Sequence, residues 1–430
     1  MPATVQPPSV ITRLSAIEIL DSRGKPTVKA TCALKSGAVA SASVPSGAST
    51  GAAEAVELRD GDPSRYRGQG CRRAVGHVNG TIFESVRGRG LNQLQFDGTF
   101  RDDDGNTLKS EVGANATLAV SLAFARAVAA ERGVPLYRHF ADLIYKKPVA
   151  LPRMTINLFS GGKHGGGQMP IQDVLVVPTR ATTIDEGLAT TYAVYQAAAE
   201  LGQRKYGMRP LTADEGGLAP PFPSIEAAFD DAVESIRAAG FQPGRDVELA
   251  VDVASSHFYR DGRYHLAGES LSAPEMIDRV ASWVQNYPIV SVEDGLAEDD
   301  WKNWPALRER IGPHALVLGD DLLCTNPQRI RRAIDAGAAN ALLLKVNQIG
   351  TLSEADDALR LAKNAGWRVT VSARSGETED DWLADLAVGW GGDQIKVGSI
   401  TQSERLAKYN RLLEIEAETK LPVVAWPNPH

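Results

Sequence analysis

The chain has 430 residues, 43% of them apolar and 23% charged, and a formal net charge of −7. This is the composition of a soluble globular protein, and its acidic balance argues against a nucleic-acid-binding surface. No apolar run reaches the ~18 residues of a membrane span, and Cys32, Cys71 and Cys324 are scattered without metal spacing, as expected in a reducing, cytoplasmic setting.

The opening Met1-Pro2-Ala3-Thr4 lacks the charged start and apolar core of a signal peptide. Val10–Leu20, Thr27–Lys35 and Ala38–Val44 read as three strands, with a turn at Asp21-Ser22-Arg23-Gly24-Lys25-Pro26. Pro45-Ser46-Gly47-Ala48-Ser49-Thr50-Gly51 follows. Its small residues flanked by glycines suit either a lid over a phosphate or metal, or a flexible hairpin loop. Ala114–Ala130 is Ala-rich with helical spacing and reads as a buried helix. Residues 1–147 are therefore expected to form an α+β cap, ending at the linker Lys146-Lys147-Pro148.

Residues 148–430 open with two glycine-rich stretches. Gly161–Gly167 carries His164 between glycines, where a ligand has room to approach, although a simply solvated histidine fits as well. Asp214-Glu215-Gly216-Gly217 sets two carboxylates on a glycine turn, and composition does not choose between an acidic turn and a site. Six short apolar runs then end in polar residues suited to chemistry: Asp252, Glu293, Asp320, Lys345, Ser372 with Arg374 and Ser375 just beyond, and Lys396. After a longer first step the endings recur at about 25 residues, enough for a strand, a helix and two loops. Asn326-Pro327 is a helix start, an N-cap followed by Pro at the first helical position. Strand and helix in alternation, with functional residues at strand ends, describe a (β/α)8 TIM-type barrel with its site on the top face.

Ser46–Gly51, Asp214–Gly217, Leu342-Leu343-Leu344-Lys345-Val346-Asn347-Gln348-Ile349-Gly350 and Ser375-Gly376-Glu377-Thr378-Glu379-Asp380 together resemble the enolase family. So do Asp21–Gly24 and Ser403-Glu404-Arg405-Leu406-Ala407-Lys408, and the likeness runs from about residue 14 to 418. The resemblance implies a cap followed by a barrel that begins ββαα. It implies two Mg²⁺ ions, one held by Asp252, Glu293 and Asp320, the second dependent on substrate and reached by Ser49 of the lid. Lys345 matches the base that removes the proton beside a carboxylate, with a pKa lowered by Mg²⁺ and Lys396, and Lys396 matches the enolate stabiliser. Glu215 matches the acid at the leaving hydroxyl. Arg374 and Ser375 match the phosphate clamp, His164 the pocket histidine, and Gln172 lies among the substrate-binding residues.

Two departures stand out. Where enolases read Ser-His-Arg-Ser, this chain reads Ser372-Ala373-Arg374-Ser375, and where they carry a Glu that assists at the leaving hydroxyl, it has Asp173. A metal-binding Glu usually followed by Asp-Pro-Phe is here followed by Asp294-Gly295-Leu296. Replacing the imidazole by a methyl group and shortening Glu to Asp are both expected to open space, and His257 is nearby in the chain. The reading is a Mg²⁺-dependent carbon–oxygen lyase of the phosphopyruvate hydratase type, specific to a phosphonate antibiotic pathway and forming carboxyphosphonoenolpyruvate. The alternatives are a housekeeping enolase converting 2-phosphoglycerate to phosphoenolpyruvate, and a non-catalytic binding protein. A small phosphorylated or phosphonate acid is the expected partner, with no nucleic acid and no membrane.

The family is usually dimeric through ion pairs between the first strands and the last helix. At the matching positions Lys29 and Glu414 reverse the usual signs, and Ile17 and Ala417 are uncharged. A homodimer is expected, pairing poorly with an ordinary enolase subunit.

Overall fold

The structure is a computed structural model that describes residues 8–48, 51–100, 109–207 and 211–426. The three expected strands are present as an antiparallel meander: β1 (Ser9–Leu20), β2 (Pro26–Leu34) and β3 (Val39–Ser43). A two-residue strand, β4 (Gly90–Leu91), pairs with the start of β1. Their inward side chains, Ile11, Leu14, Val28, Ala30, Cys32 and Ala42, are buried. Three short helices follow: α1 (Arg72–His77), α2 (Phe83–Val86) and α3 (Gln93–Gly98).

The Ala-rich segment forms α4 (Ala114–Arg132), buried at every residue from Ala114 to Ala125. A helix apolar all round has to be covered all round. Small side chains let the meander approach one face and the barrel the other. Thr117 Oγ1 donates to the Gly350 carbonyl at 2.8 Å, and the Leu352 N–H donates to Ser121 Oγ at 3.1 Å. Gly133, at φ +62°, ends the helix in the left-handed region. Helix α5 (Leu136–Leu143) completes this part of the chain.

Among the described residues, eight strands close a barrel: β5 (Arg153–Ser160), β6 (Asp173–Val177), β7 (Glu248–Asp252), β11 (Ile289–Glu293), β12 (Leu316–Gly319), β13 (Ala341–Leu344), β14 (Arg368–Ser372) and β15 (Gln394–Lys396). A small meander, β8 (Tyr259–Arg260), β9 (Arg263–Leu266) and β10 (Glu269–Leu271), is inserted after β7 and accounts for the longer first step of the sequence pattern. The barrel is not uniformly parallel. β6 runs antiparallel to both β5 and β7, and two helices follow it, α6 (Ile184–Tyr206) and α7 (Ile225–Ala238). The remaining helices are α8 (Ala273–Asn286), α9 (Trp304–Ile311), α10 (Pro327–Ala336), α11 (Leu352–Asn364), α12 (Trp382–Gly389) and α13 (Ser403–Thr419). Asn326 caps α10 as expected, accepting from the N–H groups of Gln328 and Arg329. No described helix is long and apolar enough to cross a membrane.

Two seams position the site. At the top, Ser46 and Gly376 form an antiparallel bridge, the Ser22 N–H donates to the Glu377 carbonyl at 2.7 Å, and Lys109 pairs with Glu354 at 2.9 Å in a buried ion pair. At the bottom, the end of the chain closes the barrel mouth. Val423 bridges to Leu151, and Trp426 is buried against Leu175, Val177, Ala250 and Val290. Arg153 donates to the carbonyls of Pro178, Ala181 and Val424 there.

Glu248 is buried at the bottom of β7, and its Oε2 has no hydrogen-bond partner. Burial lifts its carboxyl to about 7, against the pull of Arg153. The neutral acid is thus favoured in the folded state. Its contribution to stability is full below the ordinary value of 4.5 and is lost as pH rises through about 7. Glu248→Gln is therefore expected to stabilise the protein by about 2 kcal/mol at pH 8 and to change little at pH 5. Melting curves of both proteins at the two pH values test this; a difference that does not grow with pH contradicts it.

Candidate active site

Strand register assembles the site. In the barrel Ser160 lies opposite Asp173, Asp173 opposite Asp252, and Asp252 opposite Glu293. Asp252, Glu293 and Lys396 end strands that point to the top face, and Asp320 and Lys345 follow directly on β12 and β13. Asp173 begins its strand, and only because β6 is reversed does its side chain reach the same face.

The charged groups satisfy one another. Lys396 Nζ is shared by Asp252 Oδ2 at 2.9 Å and Glu293 Oε2 at 2.7 Å. Lys345 Nζ lies 2.5 Å from Asp320 Oδ2. Arg374 forks onto Glu54, at 2.9 Å and 3.1 Å, and also donates to Asn347 Oδ1. Gln348 donates to Asp320 Oδ1 at 2.7 Å, and Gln172 to Asp252 Oδ2 at 3.0 Å. Ser375 Oγ accepts from the Ala48 N–H at 2.9 Å and from Arg23 at 3.1 Å. Two bonds accepted there direct its one proton elsewhere.

A second cluster stands beside the first. His164 Nδ1 is 3.2 Å from Asp173 Oδ2, and Nε2 is 3.9 Å from Glu215 Oε1. Asn157 donates to both Asp173 and Glu215, at 2.9 Å and 3.0 Å, and Ser160 Oγ donates to Asp173 at 2.5 Å. Glu215 sits on a turn that needs Gly216 at φ +84°, whose carbonyl is held by Tyr195 and Thr401 hydroxyls.

Electrostatics follow from this crowding. Burial opposes ionisation of Asp252, yet Lys396 holds it at about 2. Burial and the Asp252 charge push Glu293 well up, since one ammonium serves both. Burial disfavours a charged His164, but Glu215 and Asp173 outweigh it and lift the imidazole to about 9. Burial raises Glu215, whereas His164 and Arg405 bring it below the ordinary range. The proton expected on Glu215 is thus carried on the histidine side of the cluster. Lys345 also departs from expectation. Burial lowers it, but the Asp320 and Glu293 carboxylates together leave it raised, and Arg374 and Lys396 contribute only lesser lowerings. Action as a base requires Lys345 to leave Asp320.

His164, Gln172, Glu215, Asp252, Asp320, Lys345, Ala373, Arg374, Ser375 and Lys396 all line one cavity of about 20 Å³, with Ala48 closing it. Asp173 and Glu293 are buried behind these residues, His257 does not line the cavity, and Ser49 lies outside the described residues. The expectation that Ala373 and Asp173 open space is not met in this arrangement. A cavity of about 20 Å³ holds about one water. Glu54, Asn157, Ser160, Asn347 and Gln348 escaped the sequence reading as site residues. Asn347 and Gln348 lie in the nonapeptide around Lys345, and Glu54 follows the lid by three positions.

The donor set fits a divalent cation. Glu54, Asp173, Glu215, Asp252, Glu293 and Asp320 outnumber Lys345, Lys396, Arg374 and His164, and buried Glu293 Oε1 has no hydrogen-bond partner. Carboxylate oxygens suit a hard ion such as Mg²⁺. Among the described residues, ligand atoms converge within 4.8 Å in two groups, His164–Asp173–Glu215 and Asp294–Asp320–Asp321. The expected trio is not one of these; one oxygen of each of its carboxylates is held by a lysine. In the second group Asp294 accepts from the N–H groups of Asp320 and Asp321, at 3.0 Å and 2.7 Å.

Comparison with known families gives two matches. The model described as enolase, N-terminal domain, matches residues 11–140, and that described as enolase, C-terminal TIM barrel domain, matches residues 148–423.

The Arg374–Glu54 pair yields a prediction. Glu54→Gln leaves a buried guanidinium without its counter-ion, an expected loss of about 3 kcal/mol. Added inorganic phosphate is expected to recover part of the melting temperature, and more of it than in the parent protein. Equal melting of the two proteins without phosphate would show that the pair contributes nothing.

Proposed function

We propose that this chain, which belongs to the enolase family, is a lyase that removes the proton beside the carboxylate of a small phosphate- or phosphonate-bearing acid to give an enolpyruvate. The observation that carries the reading is the meeting of Lys345, Lys396 and three carboxylates at the barrel top beside Arg374 and Ser375.

Lys345 is the base. Its ammonium is tied to Asp320, and a cation taken by Asp252, Glu293 and Asp320 would release both lysines from those carboxylates. Bound there, Mg²⁺ would neutralise charge developing on the substrate carboxylate. Lys396, freed from Asp252 and Glu293, offers its ammonium to the enolate. Arg374 and the single outward proton of Ser375 hold phosphate oxygens. The protonated His164, with Glu215 and Asp173 around it, supplies a proton where hydroxide departs.

Ala373 distinguishes substrates. A methyl group stands where the resembling family carries an imidazole, and it lines the cavity. With the lid open, that side admits an added carboxylate, as in carboxyphosphonoenolpyruvate, and a role in phosphonate antibiotic biosynthesis follows from this reading. The housekeeping reaction, 2-phosphoglycerate to phosphoenolpyruvate, is favoured by a different observation: despite the shortening, Asp173 keeps hydrogen bonds from Asn157 and Ser160 and its contact with His164.

Two measurements test this. With 2-phosphoglycerate and Mg²⁺, α-proton exchange into heavy water is expected to proceed faster than net formation of phosphoenolpyruvate, and Lys345→Ala is expected to slow exchange about 100- to 10,000-fold. Turnover as fast as exchange assigns the housekeeping role, and no exchange at all refutes lyase chemistry.

A homodimer is proposed through the exposed face of the cap meander. Ile17 and Lys29 are cross-strand neighbours there, and Ile17 and Leu20 are 60% and 53% exposed. Glu414 is already bound by Arg411 at 2.8 Å, so a partner's lysine would join an existing pair. Sedimentation at micromolar concentration is expected to give a dimer; a monomer excludes it.

A further inference from the structure

The turn Asp21-Ser22-Arg23-Gly24 lies where the cap meets the barrel and has no part in the chemistry proposed above. Its shape is made locally. Asp21 Oδ1 accepts from the backbone N–H groups of Arg23 and Lys25, at 2.8 Å and 2.9 Å, and Gly24 takes φ +71°. Asp21 Oδ2 accepts from Arg23 Nη2 at 3.1 Å, so the carboxylate that shapes the turn also aims its arginine. Ser22 fastens the turn to the barrel on either side of Gly376. Its N–H donates to the Glu377 carbonyl at 2.7 Å and its Oγ to the Ser375 carbonyl at 3.3 Å.

The guanidinium then reaches the clamp and the lid together. Arg23 Nη1 donates to Ser375 Oγ at 3.1 Å, and Nη2 donates to the carbonyls of Ser46 at 3.0 Å and Gly47 at 3.4 Å. Ser46 and Gly376 exchange backbone hydrogen bonds at 2.8 Å and 2.9 Å. The approach is close: a Cβ on Gly376 would lie 2.3 Å from Arg23 Nη2 and 2.2 Å from Asp21 Oδ2. Ser375 lines the active-site cavity and Arg23 does not. The charge of Arg23 is balanced by Asp21, whose side chain is fully buried. What Arg23 supplies to the cavity is therefore direction rather than field. A planar guanidinium can serve a hydroxyl, two loop carbonyls and a carboxylate at once, which the point charge of a lysine cannot.

We infer that Arg23 is a positioning residue of the phosphate clamp. By donating to Ser375 Oγ it fixes that oxygen as an acceptor on the cap side, which turns the hydroxyl proton towards the anion. By holding Ser46 and Gly47 it keeps the lid start in place, so that the Ala48 N–H meets the same oxygen at 2.9 Å. This rests on the reading of Arg374 and Ser375 as the clamp and adds the residue that sets its geometry.

The test is a calorimetric titration of the full chain with inorganic phosphate, with Arg374→Ala as the control that locates the anion at the clamp. Arg23→Gln is expected to weaken phosphate about tenfold, the size of a lost charged hydrogen bond. In a Ser375→Ala background the same substitution is expected to change affinity by less than about twofold, because the group that Arg23 orients is gone. Arg23→Lys keeps the charge and is still expected to weaken phosphate; it carries the same comparison if Arg23→Gln does not fold. Equal affinity in the parent and the Arg23 variant, or an equal loss with and without the Ser375 hydroxyl, overturns this assignment and leaves the clamp standing. No saturation in the parent, or binding unaltered in Arg374→Ala, overturns the clamp itself and this assignment with it.

Discussion

Lys396 is the constraint on which this structure turns. A buried ammonium is costly unless it is paired, and here one is shared by the terminal carboxylates of two neighbouring strands. That sharing works only if β7, β11 and β15 end at one level. The level depends on register, and register on the apolar strands below. The reversed β6 adds Asp173 to the same tier, where three side chains bond it. Packing at the barrel centre and charge at its top are therefore one specification. Carboxylates in excess of cations make the specification incomplete without a further positive charge.

The cap is as much part of the site as the barrel. Arg374 and Ser375 belong to the barrel, yet their bonding atoms are set by Glu54, Ala48 and Arg23. Gly51 shows how close the approach is: a Cβ there would lie 2.5 Å from Cys324 Sγ. In the proposed function, these contacts make the cap part of the phosphate-binding side of the site.

Much of this was legible in the chain. The six runs ending in Asp252, Glu293, Asp320, Lys345, Ser372 and Lys396 are strands, because buried parallel strands leave an uninterrupted apolar signature. Asn326-Pro327 starts a helix for local reasons that need no tertiary context. What escaped were long-range pairings. Glu54 reaches Arg374 across 320 residues of chain, and nothing in its neighbours marks it. Ala373 and Asp173 were expected to leave room, because sequence reports which atoms are missing but not what moves into their place. The closure of the barrel floor by Trp426 was equally hidden, a single aromatic near the chain end having no periodicity to betray it.

That floor bears on how the molecule is made. Leu151, just ahead of the first barrel strand, waits for Val423, and β5 waits for β15. A chain emerging from the ribosome can complete the cap meander early, since its strands are sequence neighbours. The barrel stays open along one edge until β15, the eighth of its strands, has been synthesised. Its nascent form exposes an unpaired strand edge for most of translation, the species most prone to aggregate. Removal of residues 423–426, which close that floor, thus acts on the yield of folded protein before it acts on any property of the finished one.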